Sequence, residues 1–358
     1  MSRPLQAFID SSALTHNLTV VRQYAPKARI MAVVKADAYG HGLLQTAHAL
    51  KAADGFALLE LNAAITLRNA GFEQPIVLLE GFFSPEELPL FVQYRLSPVI
   101  HHSEQVAMLS ACKHPPLNLF LKINTGMNRL GLAPIQLPGV ISELMTHQHA
   151  KNITLMTHFA CADDLNEKNS VIQQIYRFKA VTQGYDYPHS LANSAAIIHY
   201  PETHADWIRP GIMLYGASPL ISKTAAELNL KPVMTLSSKV IATQQLNAGD
   251  RVGYGGLFTA EHTMQLGIVA CGYADGYPRH APTGTPILIN DQRTRILGRV
   301  SMDMLAVDLT GIENAGVNSP AILWGDGLPV DEVAHSAGTV NYELLCALAP
   351  RVEKRLSR

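Results

Sequence analysis

Residues 30–42 read Ile30-Met31-Ala32-Val33-Val34-Lys35-Ala36-Asp37-Ala38-Tyr39-Gly40-His41-Gly42. The first five form an unbroken apolar run, the pattern of a short strand buried on both faces. Upstream, Asp10 is placed to cap a helix on which Leu14, Leu18 and Val21 recur on one face. Downstream, residues 56–59, 75–79, 98–100, 118–123 and 153–157 repeat the short apolar run. Between them, residues 61–70, 85–94 and 165–182 carry helical periodicity. Such alternation implies a parallel sheet with helical crossovers. About eight units in roughly 220 residues fit a closed (α/β)8, TIM-like barrel better than an open sheet. No G-x-G-x-x-G follows the early strands, which weighs against a dinucleotide-binding fold.

The texture changes after Lys231-Pro232. Residues 233–243, 264–271, 285–289, 295–298 and 304–309 are β-rich and punctuated by Gly and Pro, and residues 341–348 suit a short helix. This divides the chain into a barrel over residues 1–230 and a mostly-β domain over residues 231–358. No low-complexity linker separates them, so a fixed interface is expected.

The 358-residue length fits two domains, and 47% hydrophobic against 16% charged residues supports a large core. Lys and Arg total 28 and Asp and Glu 29, a net charge of −1. That balance argues against nucleic acid or an anionic membrane as partner. No apolar stretch is long enough to span a bilayer or to act as a secretory signal, so a cytoplasmic location is expected. Cys112, Cys161, Cys271 and Cys346 are spaced for neither zinc nor disulfides. The 15 histidines raise the question of metal. His101-His102 are adjacent, His41 lacks a helical partner and no H-E-x-x-H occurs, so no metal is expected.

In a parallel barrel, chemistry gathers where strands end. Lys35 follows the first strand, Lys122 lies in the run LFLKI, Arg129 sits in the loop after it and His158 follows ITLMT. Asn193-Ser194 opens a predicted helix, and Arg209 precedes Pro210-Gly211. Singly, each has an ordinary reading: a snorkelling lysine, a satisfied histidine, a turn arginine. Together they mark one mouth.

Residues 32–42 resemble the cofactor-lysine signature of the alanine racemase family. Further segments match family segments in family order. They are residues 125–131 (TGMNRLG), 157–160 (THFA), 193–196 (NSAA), 209–216 (RPGIMLYG), 252–255 (VGYG), 272–277 (GYADGY) and 301–303 (SMD). The resemblance covers nearly the whole chain and implies an (α/β)8 barrel followed by a β domain.

It also implies interconversion of L- and D-alanine on pyridoxal 5′-phosphate, held by Lys35 as an internal aldimine. Lys35 and Tyr254 become the two catalytic bases, one for each face of the substrate Cα. In the family the tyrosine comes from the second subunit, so a head-to-tail homodimer with shared sites is implied. Arg209 would face the pyridine nitrogen, with His158 bonded behind it. Tyr39, Asn193, Ser194, Gly211 and Ile212 would surround the cofactor and its phosphate. Arg129 and the backbone N–H of Met302 would take the substrate carboxylate, and Lys122 matches a lysine carbamylated in some members. Tyr273, Arg279, Arg299 and Asp163 match the substrate entryway, where a narrow mouth favours a methyl side chain. One departure is expected: a near-C-terminal tyrosine that reaches the phosphate in some members falls, by counting from Tyr342-Glu343, on Pro350.

The product would serve peptidoglycan synthesis or alanine catabolism. A related racemase acting on serine or lysine is the alternative. A non-catalytic pyridoxal-phosphate-binding protein is disfavoured, because such proteins resemble the barrel alone.

Overall fold

The computed structural model describes residues 3–356. Eight parallel strands close a barrel: Arg29–Val33, Gly55–Leu58, Ile76–Leu78, Leu96–Ile100, Leu117–Lys122, Ala150–Met156, His189–Asn193 and Trp207–Arg209. Closure comes where Arg29 and Ile30 pair with Trp207 and Ile208. The first six strands fall within a few residues of the apolar runs, because strands covered on both faces must be apolar almost throughout. Ile76–Leu78 and Leu96–Ile100 are buried at every position. The last two strands carry no such run, and only closure of the ring identifies them.

Helix Ser11–Tyr24 starts where its cap predicts. Asp10 Oδ1 accepts from the backbone N–H of Ser12 at 2.7 Å and of Ala13 at 3.1 Å. Leu14, Leu18 and Val21 are buried beneath it. The predicted helix over residues 165–182 opens with a 3-10 turn, Leu165–Glu167, and continues as Lys168–Thr182.

The second domain is built on an eight-stranded sheet, antiparallel except at one edge. Its longest strand, Met234–Leu246, pairs with Pro320–Trp324 along one part and with Met264–Val269 along the other. A register shift between Val240 and Ala242 lets it serve both. The sheet also takes in Gln6–Ile9 from the far end of the chain. That strand lies between Met234–Leu246 and the parallel strand Glu353–Leu356. The segment that precedes the barrel in sequence is thus laid into the other domain's sheet.

The two units share a continuous apolar core. Buried Asn17 pins the passage between them. It donates to the carbonyls of Leu214 at 3.0 Å and Lys231 at 2.9 Å, and its oxygen accepts from Lys231 N at 2.8 Å. The predicted helix near the C-terminus is Asn341–Cys346, shorter than residues 341–348. It packs against Gly40, where a Cβ would lie 2.1 Å from the Leu345 carbonyl oxygen. That contact carries Tyr342 and Cys346 to the barrel mouth. No helix among the described residues is long and apolar enough to cross a membrane.

Candidate active site

A cavity of about 800 Å³ opens at the C-terminal ends of the barrel strands. Lys35 enters it through unusual backbone. Ala36, Asp37, Ala38 and Tyr39 all have φ between 52° and 55°, a left-handed turn built without glycine. Such backbone costs roughly 1–2 kcal/mol per residue, so it persists only where the surroundings fix it. Here Asp37 accepts from Leu43 N at 2.8 Å and pairs with Lys354 Nζ at 2.5 Å. The Tyr39 ring stacks on Tyr215, centroids 4.7 Å apart, and the Tyr215 hydroxyl donates to the Val33 carbonyl at 2.9 Å. The outcome is that Lys35 and Tyr39 line the same cavity.

Around Lys35 stand Lys122, Arg129 and Arg209, with Glu80 the one carboxylate among the described lining residues. Burial, and then the charges of Arg209, Arg129 and Lys35, pull the Lys122 ammonium down to about 8. Burial lowers the Arg209 guanidinium to about 10, so it stays cationic at neutral pH. Arg209 Nη1 donates to Ser190 Oγ at 2.7 Å, and Nη2 to the carbonyls of Thr157 at 2.7 Å and Leu191 at 3.1 Å. His158 Nδ1 lies 3.3 Å from Nη2. Burial first, and Arg209 next, hold the His158 imidazole well below its ordinary pKa, so at neutral pH it is uncharged and accepts. The Nε–H of Arg209 has no partner among the described residues. Behind these groups, Thr125 and Thr157 hydroxyls meet at 2.7 Å, which ties the loop bearing Arg129 to the strand end bearing His158.

Just past the ends of the two strands that carry Ser190 and Arg209, Gly211 N donates to Ser194 Oγ at 2.8 Å, and Asn193 caps the short helix Ser194–His199 through Ala196 N at 3.0 Å. A Cβ on Gly211 would lie 2.7 Å from the Tyr39 hydroxyl. Backbone N–H, two hydroxyls and the missing side chain form a polar cradle suited to phosphate oxygens. A flat anionic cofactor that needs an amine, a ring-nitrogen donor and a phosphate seat therefore fits this donor set. Among the described residues no group of three His, Cys, Asp or Glu converges as a metal site would.

The cavity thus gathers Lys35, Tyr39, Lys122, Arg129 and His158 with Asn193, Ser194, Arg209, Gly211 and Ile212. It does not include Tyr254, Met302, Tyr273, Arg279, Arg299 or Asp163. Tyr254 is 69% exposed and Met302 52%. Tyr254 stands on a single turn between Gly253 and Gly255, whose φ values are 67° and 76°. Gly253 lies against the Arg299 backbone. Tyr273 and Ala274 donate backbone bonds to the carbonyls of Ser301 and Met302, both at 3.0 Å. The Arg279 guanidinium is 5.8 Å from the Tyr273 ring centroid. These residues share one outer surface of the second domain. Asp163 lines a neighbouring cavity of about 640 Å³ that also touches Tyr342.

Three further polar lining residues, Glu80, Tyr342 and Cys346, are not among those the sequence marks as site residues. Pro350 is not among the lining residues. The near-C-terminal tyrosine at the cavity is Tyr342 itself, with its ring centroid 6.0 Å from that of Tyr39. The helical reading of residues 341–348 placed Tyr342 on an element, but nothing local directs that element to the barrel mouth.

Comparison with known proteins gives concordant results. The family models described as alanine racemase N-terminal domain and C-terminal domain match residues 9–219 and 233–356. An alanine racemase of Nitrosospira multiformis is 59% identical, over 99% of both chains. A catabolic alanine racemase of Salmonella typhimurium is 50% identical over 98% of this chain and 99% of its own. Among solved structures, the biosynthetic alanine racemase of Pseudomonas aeruginosa superposes with a TM-score of 0.97 at 46% identity, covering 99% of this chain and 100% of the other.

Proposed function

We propose, from the premise that the chain belongs to the alanine racemase family and interconverts L- and D-alanine, a two-base mechanism in a cavity that holds pyridoxal 5′-phosphate. The observation that carries this reading is the lining of the mouth. Lys35, the free Nε–H of Arg209 and the cradle at Gly211 line one cationic cavity. Lys35 would hold the cofactor covalently through Nζ, Arg209 would face its ring nitrogen, and Tyr39, Ser194, Gly211 and Ile212 would seat its phosphate. When bound, the cofactor supplies the electron-withdrawing ring that makes the alanine Cα–H acidic.

The residues then divide the work. Lys35 Nζ, freed when the substrate amino nitrogen takes its place on the cofactor, and the partner subunit's Tyr254 would take and return the Cα proton on opposite faces, since one base cannot reach both. Arg209 is a guanidinium that keeps its own proton. It would donate a hydrogen bond to the ring nitrogen without giving up that proton, which would limit return of the Cα proton at the wrong carbon. Neutral His158 and the carbonyls of Thr157 and Leu191 hold Arg209 at that angle. Arg129 would fork onto the substrate carboxylate, joined by the backbone N–H of the partner subunit's Met302. Lys122, pulled down to about 8, has a neutral amine fraction able to take up carbon dioxide. The resulting carbamate would be an anion facing Arg129. Tyr273, Arg279, Arg299 and Asp163 would line the entryway and restrict it to a small side chain.

A homodimer follows from this division, because Tyr254 and Met302 do not line their own chain's cavity. The reading also places the protein in the cytoplasm, where D-alanine would feed peptidoglycan or L-alanine would feed catabolism. Relatives are named for both roles. The test is Lys35→Ala. The visible absorbance of the bound cofactor should vanish together with conversion of L- to D-alanine in a coupled assay, with L-serine and L-lysine as comparison substrates. A variant that keeps both signals overturns the assignment.

A further inference from the structure

We propose that Asp275 is a positioning residue that acts on the partner subunit's active site, by clamping the surface loops that carry Tyr273 and Met302. The inference rests on the shared-site reading above and assigns it a residue outside every reacting contact.

Asp275 has a wholly buried side chain, and both of its oxygens are engaged. Oδ1 accepts from Arg3 Nη1 at 2.6 Å and from Arg351 Nε at 2.7 Å. Oδ2 accepts from Gly272 N at 2.9 Å. The same two arginines reach on to Asp303: Arg3 Nη2 donates to its carbonyl at 2.6 Å and Arg351 Nη2 to its Oδ1 at 2.6 Å. Two guanidiniums, one from each end of the chain, thus bracket two aspartates. The clamp falls beside the residues that matter, since Gly272, held by Asp275, precedes Tyr273, and Asp303 follows Met302. Between the loops there is no slack. A Cβ on Gly272 would lie 2.3 Å from the Met302 carbonyl oxygen.

The clamp has a second attachment. The Asp275 carbonyl accepts from Ala349 N at 3.0 Å, and a Cβ on Gly276 would lie 2.3 Å from the Ala347 carbonyl. Those residues continue directly from the helix Asn341–Cys346, which lines this chain's own cavity with Tyr342 and Cys346. A cluster that only stabilised the sheet ends would have no need to bond the immediate neighbours of Tyr273 and Met302. Here every charge-assisted bond falls on such a neighbour or on Asp275 itself. Loops that present a backbone N–H to a carboxylate need positional accuracy, and a misplacement of about 1 Å can cost about 100-fold in rate.

The experiment uses holoenzyme hybrids assembled from two differently tagged chains. The Asp275→Asn homodimer should retain its cofactor absorbance while KM for L-alanine rises and kcat/KM falls by up to about 100-fold. In a hybrid with a Lys35→Ala chain, the site that keeps Lys35 belongs to the Asp275→Asn chain and receives loops whose clamp is intact. Its KM should return to the wild-type value with half the number of active sites. A hybrid that keeps the raised KM overturns the proposal, because the defect would then act within its own chain. A Lys35→Ala hybrid with Tyr254→Phe tests the shared site separately. Recovery of activity supports it, and no recovery overturns the shared-site reading and the clamp with it. Should Asp275→Asn fail to fold, Arg3→Met at the exposed arm takes its place in the same hybrids, and Arg3→Lys should recover part of the loss. An Arg3→Met homodimer with wild-type KM overturns the proposal.

Discussion

The barrel mouth and the outer surface of the second domain solve the placement of polar groups in opposite ways. At the mouth, Arg209, His158 and Lys122 are withdrawn from water, and their ionisation is displaced as a result. Arg209 is held there by Ser190, His158 and the carbonyls of Thr157 and Leu191, all from the same chain. On the outer surface, Tyr254 and Met302 are more than half exposed, set on glycine turns and on loops knitted backbone to backbone. Burial tunes charge where the chain can enclose it. Where it does not, the backbone fixes position, and the shared-site reading would have a second copy supply the environment.

Tyr254→Phe breaks the contrast on the exposed side. With the phenol gone, kcat for racemisation should fall by about 10³-fold, within the usual range for a lost acid–base group. The cofactor absorbance should stay, since the mouth is untouched, and steady-state assays in both directions with a spectrum of the same sample decide it. Gly211→Ala breaks the enclosed side. The added Cβ meets the Tyr39 hydroxyl at 2.7 Å, and Tyr39 cannot retreat because Tyr215 stacks behind it. Strain of about 1–3 kcal/mol should lower cofactor affinity by about tenfold or more, read by titrating the apo protein with pyridoxal 5′-phosphate.

The smallest effect sharpens the contrast. Lys122 titrates at about 8 in the folded chain and near its ordinary 10.5 once unfolded. Between those values the unfolded chain binds the extra proton, so stability should rise with pH through that window. The burden of a buried ammonium is greatest below about pH 8. Denaturant unfolding of the apo protein in carbon-dioxide-free buffer, from pH 7 to 10, should show wild type gaining on Lys122→Met by roughly 1–3 kcal/mol. Parallel curves would mean that Lys122 carries no such burden.

The barrel was legible because six of its strands contain a short apolar run, a signal that burial on both faces enforces. His189–Asn193 and Trp207–Arg209 were not, being short and ending in the polar residues Asn193 and Arg209 that line the cavity. Gln6–Ile9 was invisible for another reason: its partners lie more than two hundred residues away, and local pattern says nothing of such pairing. At the site, polar residues at strand ends announced Lys35, Lys122, His158 and Arg209. Tyr342 escaped, since its place depends on helix Asn341–Cys346 docking against Gly40. The left-handed turn at residues 36–39 escaped as well. Ala-Asp-Ala-Tyr carries no glycine, and what holds it there is tertiary contact with Lys354 and Tyr215.

The strand Gln6–Ile9 has a consequence for how the molecule is made. It leaves the ribosome ahead of the barrel, yet its neighbours are Met234–Leu246 and, almost last of all, Glu353–Leu356. At roughly 5–20 residues per second, it spends on the order of tens of seconds with one or both edges bare. The barrel strands are therefore all made before the second domain's sheet can take in Gln6–Ile9. Cutting the chain after the barrel would leave its first strand without a sheet to join.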